Sequence, residues 1–274
     1  MGRFSGKILF TDMDETLLTT DKKISRAVYD AVWDFIGEGG SFVLSSGRPL
    51  NSIIETRDRL ELPVKGTYII SYNGALVYDC DAHRPILEHL LSPGQVRGLQ
   101  DLAKEMSIHV HTYRDEVILT PEEDEELHYY RRIIKLPFEV TPDLSEGIAG
   151  GAYKLLGIEL KDHDRLDRFR ERIEAGFDHE IAAFYSNPNY LEICLSKVSK
   201  GNAVRFLCDY LHCDIKHTLA AGDQYNDISM LEEAGIGFAM CNGIDALKDA
   251  ADYVTVNDNN HDGILEAFTL LSQI

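Results

Sequence analysis

Apolar residues fall along this chain in two rhythms. In the first and last segments, short unbroken apolar runs alternate with stretches of helical period. Ile8-Leu9-Phe10, Phe42-Val43-Leu44, Tyr68-Ile69-Ile70, Leu219-Ala220-Ala221 and Gly237–Met240 read as strands buried on both faces. Between them the period lengthens. From Ser25, the residues Val28, Ala31, Val32, Phe35 and Ile36 share one helical face, closed by Gly37, Gly39 and Gly40. Further helices are predicted over about 50–60, from Ser199, around Asp227–Ala234, near Asp245–Ala250 and over about 263–271. Asn73-Gly74 marks a tight turn into a strand at Leu76-Val77-Tyr78, and another strand is expected at Tyr253-Val254-Thr255. Strand–helix alternation of this kind predicts an α/β fold with a Rossmann-like parallel-sheet core.

The middle reads differently. Helices are expected at Pro93–Met106, Glu122–Ile134 and Arg165–Ala175. Strands are expected at Ile108–Thr112, Glu116–Thr120, Tyr153–Leu160, Ile181–Tyr185 and Tyr190–Leu195. This order predicts an α+β domain over 83–194, inserted into a core formed by 1–82 and 195–274. At 274 residues the chain is near the length at which one core divides into two.

Composition adds exclusions. Hydrophobic residues are 44% and charged residues 27%, as in ordinary soluble domains. The formal charge of −19 comes with no basic stripe, so neither nucleic acid nor a membrane surface is an expected partner. No apolar run approaches the roughly 18 residues of a membrane span, and no signal-peptide core is visible. Five scattered cysteines without a CxxC pair suit a reducing cytoplasm. His109 and His111 lie on one side of a predicted strand, where packing is favoured over a zinc site.

The chemistry follows the buried strands. Asp12-Met13-Asp14-Glu15-Thr16 follows the first, Ser46-Gly47-Arg48 the second, and Asp223-Gln224-Tyr225-Asn226-Asp227 follows Ala221-Gly222. In a parallel sheet these ends share the edge where open α/β folds bind ligands. Four carboxylates gathered there call for a cation, and oxygen-only ligands favour Mg²⁺. A carboxylate is also a competent nucleophile toward phosphorus. Lys200, in the first turn of a helix, opposes the helix dipole unless an anion sits at that end; the alternative is a solvated surface lysine.

These motifs together (DxDxT, SGR, KG and GDxxND in this order) resemble the haloacid dehalogenase-like phosphatases of the Cof type. The resemblance spans the chain, including Ser71-Tyr72-Asn73-Gly74-Ala75 and Tyr190-Leu191-Glu192-Ile193. It implies a Mg²⁺-dependent phosphatase of small phosphorylated metabolites, sugar or cofactor phosphates, working through an aspartyl-phosphate. Asp12 would be the nucleophile and Asp14 the acid/base. Asp12, Asp14 (through its carbonyl) and Asp223 would hold the metal, with Asp227 supporting that shell. Met13, Ser46, Gly47, Lys200 and Asn226 would bind phosphate. Arg48 and Asn73 would face the substrate or support the site, and the inserted domain would act as a cap that reads the leaving group. The chain departs from the family pattern at Glu15, where the family usually has glycine. Two alternatives are a phosphomutase of the same superfamily and a non-enzymatic phospho-receiver. Receivers are much shorter and carry neither an insertion nor a GDxxND segment.

Overall fold

The computed structural model describes residues 2–273. The described residues divide into two compact units, one formed by residues 2–87 with 199–273 and the other by 88–198. The first opens with β1 (Ile8–Asp12), α1 (Arg26–Gly37), β2 (Ser41–Ser45), α2 (Leu50–Arg59), β3 (Thr67–Ser71), β4 (Leu76–Asp79) and β5 (Arg84–Glu88). The second holds α3 (Pro93–Met106), β6 (His109–Arg114), β7 (Val117–Thr120), α4 (Glu125–Arg131), β8 (Phe138–Val140), α5 (Leu144–Gly147), β9 (Leu155–Ile158), α6 (His163–Gly176), β10 (Ile181–Asn187) and β11 (Tyr190–Leu195). The chain then returns through α7 (Lys200–Tyr210), β12 (Thr218–Gly222), α8 (Ile228–Glu233), β13 (Ile236–Ala239), α9 (Asp245–Ala250), β14 (Tyr253–Val254) and α10 (Leu265–Leu271).

The first unit is an eight-stranded sheet ordered β14-β13-β12-β1-β2-β3-β4-β5. The pairs from β14 across to β3 are parallel. All five residues of β1 are buried because both faces are covered. Leu9 packs with Phe35, Phe42 and Phe268 on one face. Ile8 and Phe10 pack with Val204, Leu207 and Met230 on the other. The chain leaves β1 toward β2 and β3 in its first half, and builds β12, β13 and β14 on the opposite side in its second. The direction reverses at β1, which makes the C-terminal edge there the natural ligand crevice. β4 pairs antiparallel to β3, across the tight turn that Asn73-Gly74 marks. The connection between them is one short turn, and only an antiparallel pair can be joined so tightly.

The second unit has a six-stranded sheet ordered β10-β11-β9-β6-β7-β8. One face carries Leu191, Ile193 and Ile181 against Val96 and Leu99 of α3 and Phe169 and Ile173 of α6. Polar groups collect elsewhere in this sheet. Lys154 and Glu192 form a buried ion pair at 2.8 Å. His109 and His111 share a face of β6 but bond to each other, Nε2 to Nδ1 at 2.9 Å. The chain continues from Asp124 on the His109 side to the Tyr113 and Tyr130 hydroxyls on the other. This pair is part of the packed interior, as the sequence favoured.

Several elements differ from the sequence expectation, the short α5 among them. β5 and β8 are strands that the pattern did not predict, and both are half-exposed edge strands without a continuous apolar run. The helix expected over Glu122–Ile134 is shorter, because Asp124 caps it by accepting from the Leu127 N–H at 2.8 Å. Among the described residues, no helix is long and apolar enough to cross a membrane.

Candidate active site

β1, β2 and β12 end side by side, and their C-terminal residues carry the polar side chains of the sequence motifs. Asp12 is the last residue of β1 and is 8% exposed. Asp223 follows β12 directly and Asp227 sits four residues on; both are buried. These three place carboxylate oxygens within 4.8 Å of one another.

Lys200 holds the cluster together. Ser199 caps α7 by accepting from the Asn202 N–H at 3.0 Å, so Lys200 is the first helical residue. Its side chain turns inward and is fully buried. Nζ donates to Asp12 Oδ1 at 2.5 Å and to Asp227 Oδ1 at 2.6 Å. Backbone reaches this helix end because residue 74 is glycine. A Cβ on Gly74, whose φ is +104°, would stand 2.3 Å from the Ser199 carbonyl oxygen.

Asp227 is committed on both oxygens. Its Oδ2 accepts from the backbone N–H groups of Asp223 and Gln224, each at 3.0 Å. Asp223 accepts from Thr16 Oγ1 at 2.9 Å and from Gln224 Nε2 at 3.3 Å.

Burial pushes the Asp12 carboxyl well above its usual range. Lys200 opposes this, and Asp227 and Asp223 add to it. Burial, reinforced by Asp227, pushes Asp223 up to about 6. Lys200 is pulled down by burial, yet Asp12 and Asp227 outweigh this and hold its ammonium above the ordinary value. Three buried carboxylates thus face one ammonium, an excess of negative charge that a divalent cation would offset. The donors are all oxygens, the set that hard cations such as Mg²⁺ prefer.

The second motif closes another side. Ser46 is buried and its N–H bonds the Ile70 carbonyl. Its Oγ accepts from the Arg48 N–H at 3.2 Å. Tyr72 and Asn73 adopt left-handed backbone, φ +50° and +57°, which folds the segment after β3 onto the one after β2. There the Asn73 N–H donates to the Ser46 carbonyl and the Tyr72 N–H to the Arg48 carbonyl. Asn73 Oδ1 in turn accepts from Asn226 Nδ2 at 3.0 Å. A Cβ on Gly47 would stand 3.1 Å from the same Asn73 oxygen, so its backbone lies against that amide.

Asp14 is placed apart from the metal-type cluster. Its carboxylate is half-exposed and is gripped in two-pronged fashion by Arg48, Nε at 2.8 Å and an Nη at 2.5 Å. Lys22 adds a contact at 2.9 Å. Met13 between the two aspartates points into the apolar core. The structure therefore brings Asp12, Ser46, Lys200, Asp223 and Asp227 to one strand edge, with Asn73 and Asn226 bonded beside them. It joins Arg48 to Asp14 rather than leaving it unpaired.

Sequence reasoning gave no role to Lys22, which contacts Asp14, or to Gln224, which bonds Asp223 and Asp227. Thr16 lay inside a recognised motif, and its hydroxyl is what orients Asp223. For Lys22 no motif signal existed, since only the fold of the turn brings it back to Asp14.

Comparison with known proteins agrees with this geometry. A sequence profile described as haloacid dehalogenase-like hydrolase matches residues 9–268. A Streptococcus pyogenes protein provisionally named a phosphatase is 32% identical over 264 residues, 95% of this chain and 96% of that one. The 5-amino-6-(5-phospho-D-ribitylamino)uracil phosphatase YwtE of Bacillus subtilis is 29% identical, covering 93% and 94%. Among solved structures, a haloacid dehalogenase-like hydrolase from Bacteroides thetaiotaomicron superposes with a TM-score of 0.84 at 28% identity, covering 97% of this chain and 99% of that one.

Proposed function

Because this chain belongs to the haloacid dehalogenase-like hydrolase family, we propose that it is a Mg²⁺-dependent phosphatase of small phosphorylated metabolites that uses Asp12 as its nucleophile. The observation that carries this reading is the buried set of Asp12, Asp223 and Asp227 around the Lys200 ammonium, at the reversal point of a parallel sheet.

Asp12 and Asp223, with the main-chain carbonyl of Asp14, would hold Mg²⁺, which when bound offsets charge on the phosphoryl oxygens. Both Asp227 oxygens are already taken, so its part is to fix Lys200 and the turn that presents Asp223. A carboxylate oxygen of Asp12 attacks phosphorus in line with the ester oxygen, forming an aspartyl-phosphate as the ester P–O bond breaks. The leaving oxygen takes a proton from the Asp14 carboxyl. Asp14 then accepts a proton from the water that cleaves the aspartyl-phosphate. Lys200, the Ser46 hydroxyl, the Asn226 amide and the Met13 and Gly47 N–H groups are the donors for the phosphoryl oxygens.

The unit at 88–198 serves as the cap that reads the leaving group. Sugar phosphates and cofactor phosphates are the substrate classes. The name of the Bacillus subtilis relative, a phosphatase of a phosphorylated ribitylamino-uracil, supports the second. Free thiols at all five cysteines support a cytoplasmic setting.

The test is a covalent trap. Enzyme is mixed with substrate labelled in its phosphoryl group and quenched in acid during turnover. Label should remain on Asp12 and be absent from the Asp12→Asn variant. Turnover in which no label is ever found on the protein would contradict the nucleophile.

A further inference from the structure

The Asp14 carboxylate is held by Arg48 and also by Lys22, a residue eight positions along the chain with no place in the motifs. Lys22 reaches it only because two residues adopt left-handed backbone, Glu15 and Lys22 itself, each with φ +59°. Neither is a glycine, so each carries a conformational cost that surrounding contacts must offset. For Glu15 those contacts are plain. One carboxylate oxygen takes Lys22 Nζ at 3.3 Å; the other accepts from Thr20 Oγ1 at 2.9 Å and Asn259 Nδ2 at 3.0 Å. Its carbonyl accepts from Asn242 Nδ2 at 2.8 Å. Glu15 is thereby tied to the loops that follow β13 and β14, and it fixes the Lys22 ammonium where Asp14 meets it.

We infer that Lys22, anchored by Glu15, is a positioning residue that with Arg48 fixes the orientation of the Asp14 carboxyl group toward the leaving oxygen. The inference rests on the proposed phosphatase reading. The balance is simple: the ester P–O bond breaks as the proton passes from the Asp14 carboxyl to the departing oxygen, and what Lys22 and Arg48 supply is the fixed placement of that carboxyl. A catalytic group held in its productive geometry spares the reaction the cost of ordering it. A leaving group that departs without a proton gains nothing from this arrangement, whereas a poor one depends on it.

The experiment compares kcat/KM for phenyl phosphate and p-nitrophenyl phosphate at one fixed pH and saturating Mg²⁺. This parameter reports steps through ester cleavage, and the two substrates differ little in size. Lys22→Met should lower the phenyl phosphate value about tenfold, a part of the usual contribution of a positioned acid. The p-nitrophenyl value should change by less than about twofold. Lys22→Arg should restore most of the loss, and Glu15→Gln should give a smaller loss in the same sense. Equal losses on both substrates, or no loss on phenyl phosphate, would overturn the assignment while leaving the phosphatase reading intact. Wild-type protein that shows no Mg²⁺-dependent turnover of these esters or of any sugar or cofactor phosphate would remove the reading and the inference with it.

Discussion

At the scale of single residues, the site is organised by where charge is buried. Lys200 illustrates why. A lysine at the first turn of a helix is unfavourable by itself, and in the sequence it reads equally as an ordinary solvated side chain. Folded, it sits at zero exposure between two carboxylates. The motif disclosed that Lys200 matters; only the packing of Ser199 on Gly74 disclosed that it points inward. Glu15 makes a separable claim. Its left-handed backbone costs a non-glycine residue about 1 kcal/mol or more. Glu15→Ala and Glu15→Gly both delete the carboxylate that meets Lys22, Thr20 and Asn259, but only glycine also removes the backbone cost. Glu15→Gly should therefore be more stable than Glu15→Ala by about 1 kcal/mol in urea unfolding. Equal stabilities would show that the turn carries no such strain.

At the scale of elements, legibility followed burial. β1, β2 and β12 were readable because strands covered on both faces must be apolar throughout, and their ends placed the acidic motifs correctly at one edge. β5 and β8 were not, since an edge strand facing water needs no apolar run. The acidic stretch before α4 was read as helix, whereas Asp124 spends its side chain as the cap and leaves Glu122 and Glu123 outside. Nor does any local pattern show that β6 carries a buried hydrogen-bonded row through His109 and His111. That row has a consequence. Burial lowers His111 well below its ordinary value, and His109 and Lys154 add to this; Tyr113 and Tyr130 are its remaining polar neighbours. In the unfolded chain His111 regains a value near 6.5 and binds a proton that the folded form refuses. Stability is then full above that pH and declines as pH falls below it, by at most about 1.4 kcal/mol per pH unit from this group. Urea unfolding between pH 7.5 and about 5 should show the decline, and His111→Phe should flatten it. An unchanged slope in the variant would place the pH dependence elsewhere.

At the scale of the whole molecule, a chain of formal charge −19 must draw in an anion. It does so locally. Lys200, Arg48 and Lys22 are gathered at one strand edge, and the acidic cluster beside them suits a divalent cation. Global charge gave no hint of this, because it depends on which few cations the fold brings together. The same limit applies to substrate choice, since the motifs fix the phosphoryl end of a ligand and say nothing of the rest. The most direct test of the central claim is phosphate release from a panel of phosphorylated sugars and cofactors, with and without Mg²⁺, by wild type and Asp12→Asn. The account predicts release that requires Mg²⁺ and falls by roughly 10⁴-fold or more in the variant. Release that persists in Asp12→Asn, or no release from any panel member by folded wild type in Mg²⁺, would contradict it.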